Sequence, residues 1–373
     1  MTASLHLLLA LLPLLAAKAP AARKAVEKGV PFVYVGGFRP EISIFRLDAA
    51  TGALTPAGSA DGGKDPAFLA WEPRGRFLFA VNAVPEGRVV AFAVDQKTGA
   101  LARLNDASSA GVGPAHLSVD PSGRWLMVAN YADTKPGTIA VLPIDAGGHL
   151  GAAVYTHDFG PGTMPHSIRA DHSGRFVFVP CKGGPYVAEF ALDQSSGQLT
   201  AGTPERVPAA PKAGPRHLDF HPGGKFAYVI NELALTMAAY RLDGGQLTEI
   251  QTLSTLPAGL TPAKDFSGAD VHVHPSGKWL YGSTRGHNSI VIYAIDATTG
   301  KLTLVGHETR TIDKPRNFHL DPSGKLLLVA NQNAGTVTVF RIDQATGKLE
   351  PLGAPTPVGA KPSFVGVLML PGK

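Results

Sequence analysis

Two stretches of the chain carry side chains suited to moving protons and holding negative charge. In "GPRHLDFHPGGKFAYVINEL", residues 214–233, Arg216 and His217 precede one apolar run and Glu232 follows a second; in "STRGH", Arg285 again follows an apolar run. A guanidinium offers a fixed fork of N–H donors to a carboxylate, a phosphate or a developing oxyanion. An imidazole or a carboxylate can transfer protons, with a pKa set by its neighbours. The same residues admit a plain structural account, in which an Arg216–Glu232 ion pair ties adjacent strands. Asn82, Asn130, Asn231 and Asn331 close similar apolar runs and read as turn caps. The charged group is different, because other copies of the same pattern carry Ala or Phe at the equivalent places.

Other chemical motifs are weaker. "HVH" at His272 and His274 has metal-ligand spacing on a strand, but His274 falls where Asp120, His221 and Asp321 precede a turn, so turn formation is its expected role and no metal site is predicted. His272 stays a pocket candidate. A Gly-x-Ser-x-Gly elbow is missing, as are the phosphate-loop and dinucleotide fingerprints, so no cofactor is expected.

The elements that must position these residues come from a repeat. "WEPRGRFLFAVN", "DPSGRWLMVAN", "DHSGRFVFVPC", "HPGGKFAYVIN", "HPSGKWLYGST" and "DPSGKLLLVAN" place their turns at residues 73, 121, 172, 222, 275 and 322, spaced by 48, 51, 50, 53 and 47 residues. Apolar runs punctuated by Pro-Ser-Gly and "TGxL" turns at this period describe propeller blades. Six copies are visible. The N-terminal "PFVYVGG" and "ISIFRLD" lack a first strand, and the C-terminal "KPSFVGVLML" is a first strand without partners. Joined, they make a seventh blade. The prediction is an all-β, seven-bladed β-propeller of four-stranded blades over residues 31–370, its ring closed by N- and C-terminal strands in one blade.

Antiparallel strands put the start of the innermost strand and the end of the second at one rim. Innermost starts are marked by Pro66, Pro114, Pro165, Pro215, Gly268, Pro315 and Pro362. Just after them come Ala67-Phe68, Ala115-His116, His166-Ser167, Arg216-His217, Ala269-Asp270, Arg316-Asn317 and Ser363-Phe364; after the second strands come Ala83, Tyr131, Lys182, Glu232, Arg285 and Gln332. Gathering arginines, a lysine, carboxylates and histidines at one mouth is costly without a functional reason.

With 43 Gly, 31 Pro, 44% hydrophobic and only 17% charged residues, the composition is that of a turn-rich, well-buried soluble protein. The net charge of +5, from 34 Lys+Arg against 29 Asp+Glu, forms no nucleic-acid patch. Cys181 is the sole cysteine, so stability must come from burial rather than disulfides. Leu5–Ala17 is an apolar run of signal-peptide length, too short to span a bilayer, with small residues near Ala17-Lys18-Ala19. Residues 1–22 are therefore expected to direct export to the periplasm or medium, leaving a monomer with no membrane attachment; without a signal function the location would be cytoplasmic.

"GPRHLDFHPGGKFAYVINEL", "ADVHVHPSGKWLYGSTRGHNSIVIY" and "DPSGRWLMVANY" resemble the propeller-type 6-phosphogluconolactonase family, related to fungal carboxymuconate-lactonizing enzymes, over residues 31 to 370. The resemblance implies a hydrolase that opens a sugar lactone by metal-independent acid–base catalysis. It places active-site positions at His166, Arg216, Glu232 and Arg285, the residues the rim geometry also selects. Substrate contacts are expected from His116, Lys182, His217, Asp270, His272, Arg316 and Asn317. Lys182, in "PCKGGPY", stands at a corner that is commonly acidic in the family, which leaves the substrate open. An export signal points away from a cytoplasmic sugar phosphate. The alternatives are a carboxymuconate-type cycloisomerase and a non-enzymatic binding propeller.

Overall fold

The repeated turns fold through their own side chains. In "DPSGRW" the Asp120 carboxylate accepts the N–H groups of Ser122 at 2.9 Å, Arg124 at 2.9 Å and Trp125 at 2.8 Å. Gly123 completes the turn at a φ of 77°, a region open mainly to glycine. Asp321 repeats the arrangement with Ser323 and Leu326. His274 plays the same part, its Nδ1 accepting the Ser276 N–H at 3.1 Å, in keeping with its predicted turn role.

Between these turns the second strands are buried on both faces, as in Trp125–Asn130 and Leu326–Asn331, where every residue is buried. A strand covered on both sides carries a continuous apolar run, which is what the repeats show. Outer strands such as Leu54–Asp61 are mostly exposed.

The computed structural model describes residues 29–372. The expected signal segment lies outside the described residues. Among those described, all regular elements are strands, and they form seven sheets arranged as blades. Blade 1 runs from Pro362–Pro371 at the axis through Gly29–Gly37 and Glu41–Leu47 to Leu54–Asp61. The ring closes as expected, with Pro362–Pro371 antiparallel to Gly29–Gly37 from Gly29↔Pro371 to Gly37↔Pro362. Blades 2 to 7 follow in chain order; the outer strand of blade 7 is split into Leu349–Pro351 and Thr356–Pro357.

Each blade also leans on its predecessor. Gly300, in a "TTGK" turn of blade 6, lies against Phe226 of blade 5 so closely that a Cβ would sit 2.3 Å from the ring, and its carbonyl accepts the Tyr228 hydroxyl at 3.1 Å. Gly99 on Phe32 and Gly347 on Trp279 repeat this contact.

Two innermost strands begin later than their prolines suggest, at Leu69 and Arg169 rather than near Pro66 and Pro165. In blade 4 the cause is Pro180 in the neighbouring strand. Its carbonyl accepts the His166 N–H at 2.9 Å, but it has no N–H to return. Pairing shrinks to an isolated Pro165↔Cys181 bridge, and Ile168 bonds instead to the Ser118 hydroxyl at 2.6 Å. In blade 2 the chain turns on itself, Ala67 N–H to Asp65 O at 2.7 Å.

Candidate active site

The innermost strands carry a bulge where they leave the rim. Opposite Pro215↔Asn231 and His217↔Ile230, Arg216 has no partner. Ala115, Arg316 and Ser363 are the extra residues in their own blades. A bulge turns the inserted side chain out of the sheet's alternation. All four line a cavity of about 280 Å³ at the mouth of the ring, with His166, Lys182, His217, Glu232, Arg285 and Asn317.

Glu232 is the centre of charge. Its Oε1 lies 2.9 Å from Lys182 Nζ, and its Oε2 lies 2.9 Å from Arg216 Nε and 3.2 Å from Arg285 Nη2. Burial opposes its ionisation, but Arg216, Arg285 and Lys182 outweigh that and hold its pKa down to about 2. The ion pair that sequence reasoning weighed as a plain strand tie therefore exists, as one edge of a four-residue cluster. The arginines are further fixed by backbone carbonyls, Arg216 Nη1 on Ala269 O and Arg285 Nη2 on Gly268 O at 2.9 Å. Burial and the nearby Arg285 lower the Arg216 pKa to about 9.

His166 lines the cavity edge-to-face with Tyr131 and His217, at centroid distances of 5.3 and 5.2 Å. Its Nδ1 is buried and, among the described residues, has no hydrogen-bond partner. Burial, then Arg216, pushes its pKa well below the ordinary imidazole value. The ring is neutral at physiological pH. His217 is fixed in one tautomer: its Nδ1–H donates to Asp270 Oδ1 at 2.7 Å, while Nε2 accepts from Arg216 Nη1 at 3.3 Å. Burial and Arg216 lower its pKa to about 4.

Three expected substrate contacts do not line the cavity. Asp270 is buried beneath it and fully occupied, accepting from His217, from Asn317 Nδ2 at 2.6 Å, from His272 Nε2 at 3.2 Å and from the Val271 N–H at 3.0 Å. His272 lies one layer further along the axis, beside Asp270 and Asp219. Burial disfavours its charge, but those carboxylates prevail and raise its pKa. His116 is packed against Phe68 at 4.3 Å, and its Nδ1 faces the Ile168 N–H at 3.4 Å. Their side chains pack below the mouth; rim position alone does not decide this, because His217 and Asn317, the counterparts of His116 and Asp270, line the cavity. Gln332 is also absent from the cavity wall. Asn82, Asn130 and Asn331 donate to the loop carbonyls of Gly62, Ser109 and Thr311 at 3.0, 2.9 and 3.1 Å, while Asn231 donates to the Thr236 hydroxyl at 2.9 Å.

The family model "Lactonase, 7-bladed beta-propeller" matches residues 32–366. The chain belongs to this lactonase family. It is 32% identical over 306 residues to a 6-phosphogluconolactonase of Formosa agariphila, covering 77% of this chain and 85% of that protein. A 6-phosphogluconolactonase of Pectobacterium carotovorum is 35% identical over 282 residues, covering 74% and 80%. Among solved structures, a periplasmic gluconolactonase of Pseudomonas aeruginosa superposes with a TM-score of 0.85 at 29% identity, covering 92% of this chain and 100% of that one.

In this lactonase propeller Lys182 is anchored on both sides, by Glu232 and by the Tyr131 hydroxyl at 2.8 Å. Phe38, missed by sequence reasoning, also lines the cavity. It is blade 1's counterpart of Glu232, the residue after a second strand. Extending the rim rule through "PFVYVGGF" would have found it.

Proposed function

We propose that this lactonase propeller hydrolyses a sugar lactone in the cavity formed by His166, Lys182, Arg216, Glu232 and Arg285. The observation that carries this reading is the meeting of a neutral imidazole with two guanidiniums clamped on one carboxylate, in a chain whose relatives include 6-phosphogluconolactonases and a gluconolactonase.

Water adds to the lactone carbonyl, negative charge builds on the carbonyl oxygen, and the bond to the ring oxygen then breaks. His166 is the general base. It takes the water proton and returns it to the departing ring oxygen, leaving the open hydroxy acid. Arg216 and Arg285 stabilise the oxyanion with charge already fixed in place. Glu232 is the positioning residue: a carboxylate with a pKa of about 2 and three cationic neighbours is a poor proton acceptor but a strong clamp. These roles use protein cations and an imidazole, without a metal. The apolar Leu5–Ala17 run and the periplasmic neighbour support action outside the cytoplasm, and the preceding steps need a single chain.

The test is acid release from gluconolactone and 6-phosphogluconolactone by purified protein lacking residues 1–22, with chelator present and spontaneous hydrolysis subtracted. Hydrolysis is expected with the wild type. Full activity in both His166→Ala and Glu232→Ala would sink the site, and no turnover of either lactone would sink the reaction.

A further inference from the structure

Four cationic side chains line the cavity, Lys182, Arg216, Arg285 and Arg316, against the single carboxylate of Glu232. Three of the four touch that carboxylate. Arg316 does not. Among the described residues its guanidinium makes no hydrogen bond and no ion pair; it lies over the Phe38 ring, 5.2 Å from Cζ to centroid, and feels the Glu232 carboxylate only at longer range. Its neighbours on the wall are already committed: Asn317 donates to Asp270 and accepts the Val365 N–H at 2.8 Å, while the Ser363 hydroxyl donates to Ala67 O at 2.8 Å.

A part-buried cation without a counter-ion is destabilising, and proteins retain such a group where a ligand completes it. The Phe38 ring lies beneath the guanidinium without occupying its N–H donors, which can bind a carboxylate or phosphate through two parallel hydrogen bonds. Burial, reinforced by Arg285, lowers the Arg316 pKa to about 10, so the side chain is still charged at neutral pH.

We propose that Arg316 is the specificity-determining residue of the cavity, held without a protein counter-ion to receive an anionic group, phosphate or carboxylate, on the lactone substrate. This rests on the lactone reading above and narrows it from sugar lactones in general to those carrying a negative charge. Arg216 and Arg285 then serve the reacting carbonyl, and Arg316 holds the far end of the molecule.

The full-length protein, Arg316→Ala and Arg316→Lys are titrated with inorganic phosphate and with 6-phosphogluconate. They are also assayed on 6-phosphogluconolactone, on a sugar lactone bearing a carboxylate and on uncharged gluconolactone. Loss of a charge-assisted pair should weaken phosphate binding by roughly 10- to 100-fold in Arg316→Ala. KM for the matching charged lactone should rise by a similar factor, and kcat/KM for gluconolactone should change less than about threefold. Arg316→Lys should recover part of the loss. Which charged lactone responds identifies the anion. Equal losses on charged and uncharged lactones, or unchanged phosphate affinity in Arg316→Ala, overturn the inference. Phosphate binding is read without turnover, so absence of hydrolysis in every protein would remove the lactone reaction while the titration still decides the anion site.

Discussion

Glu232→Gln removes the one negative charge that Lys182, Arg216 and Arg285 share. The pairs lie at 2.9, 2.9 and 3.2 Å, and only 11% of the Glu232 side chain is exposed, so solvent screens them little. Burial works against the charged carboxyl, yet the three cations hold its pKa at about 2 instead of the usual 4.5. At about 1.4 kcal/mol per pKa unit, the ionised group contributes about 3 kcal/mol to folding at neutral pH. Because the folded value lies below the unfolded one, this contribution is complete above the unfolded pKa and is lost as pH falls through the folded pKa. About 1 kcal/mol should remain at pH 3. Urea unfolding of wild type and Glu232→Gln should therefore differ by about 3 kcal/mol at pH 7 and by about 1 kcal/mol at pH 3. Equal differences at the two pH values, or none at pH 7, would refute the account of Glu232 as a charge clamp.

His166→Ala should lower kcat by about 10²- to 10⁴-fold in the lactone assay while its urea midpoint changes little. In the wild type the acidic limb of kcat/KM should fall below the ordinary imidazole range, since burial and Arg216 depress the His166 pKa and a base is lost only when it protonates; a pH–rate profile checks this. Gly300→Ala forces a Cβ against Phe226 at a φ of 70° and should cost about 1–3 kcal/mol in urea unfolding, with KM unchanged. Deleting Pro362–Pro371 removes the axial strand of blade 1 and bares the Gly29–Gly37 edge; circular dichroism and light scattering should report loss of cooperative unfolding and aggregation.

The seven-blade ring was legible because each Asp-Pro-Ser-Gly turn is a local device, with Asp120 and Gly123 needing only their own neighbours. The mouth was legible because antiparallel pairing fixes which strand ends share a rim. What resisted reading was tilt. His116 and His217 follow the same bulge in their blades, yet only His217 reaches the cavity, and Asp270 lies below it while its counterpart Asn317 lines it, a distinction that residue type does not mark. Pro180 was visible in the sequence, but its effect on the strand holding His166 appears only once the two are paired. Phe38 was hidden because blade 1 takes its axial strand from the far end of the chain.

That borrowed strand sets the order of assembly. Gly29–Gly37 emerges first from the ribosome and finds its axial partner only when Pro362–Pro371 has been made, more than three hundred residues later. Until then the polypeptide carries an open β edge and an unfinished circle. The strand that joins last is also the one whose Ser363 lines the cavity at the mouth of the ring.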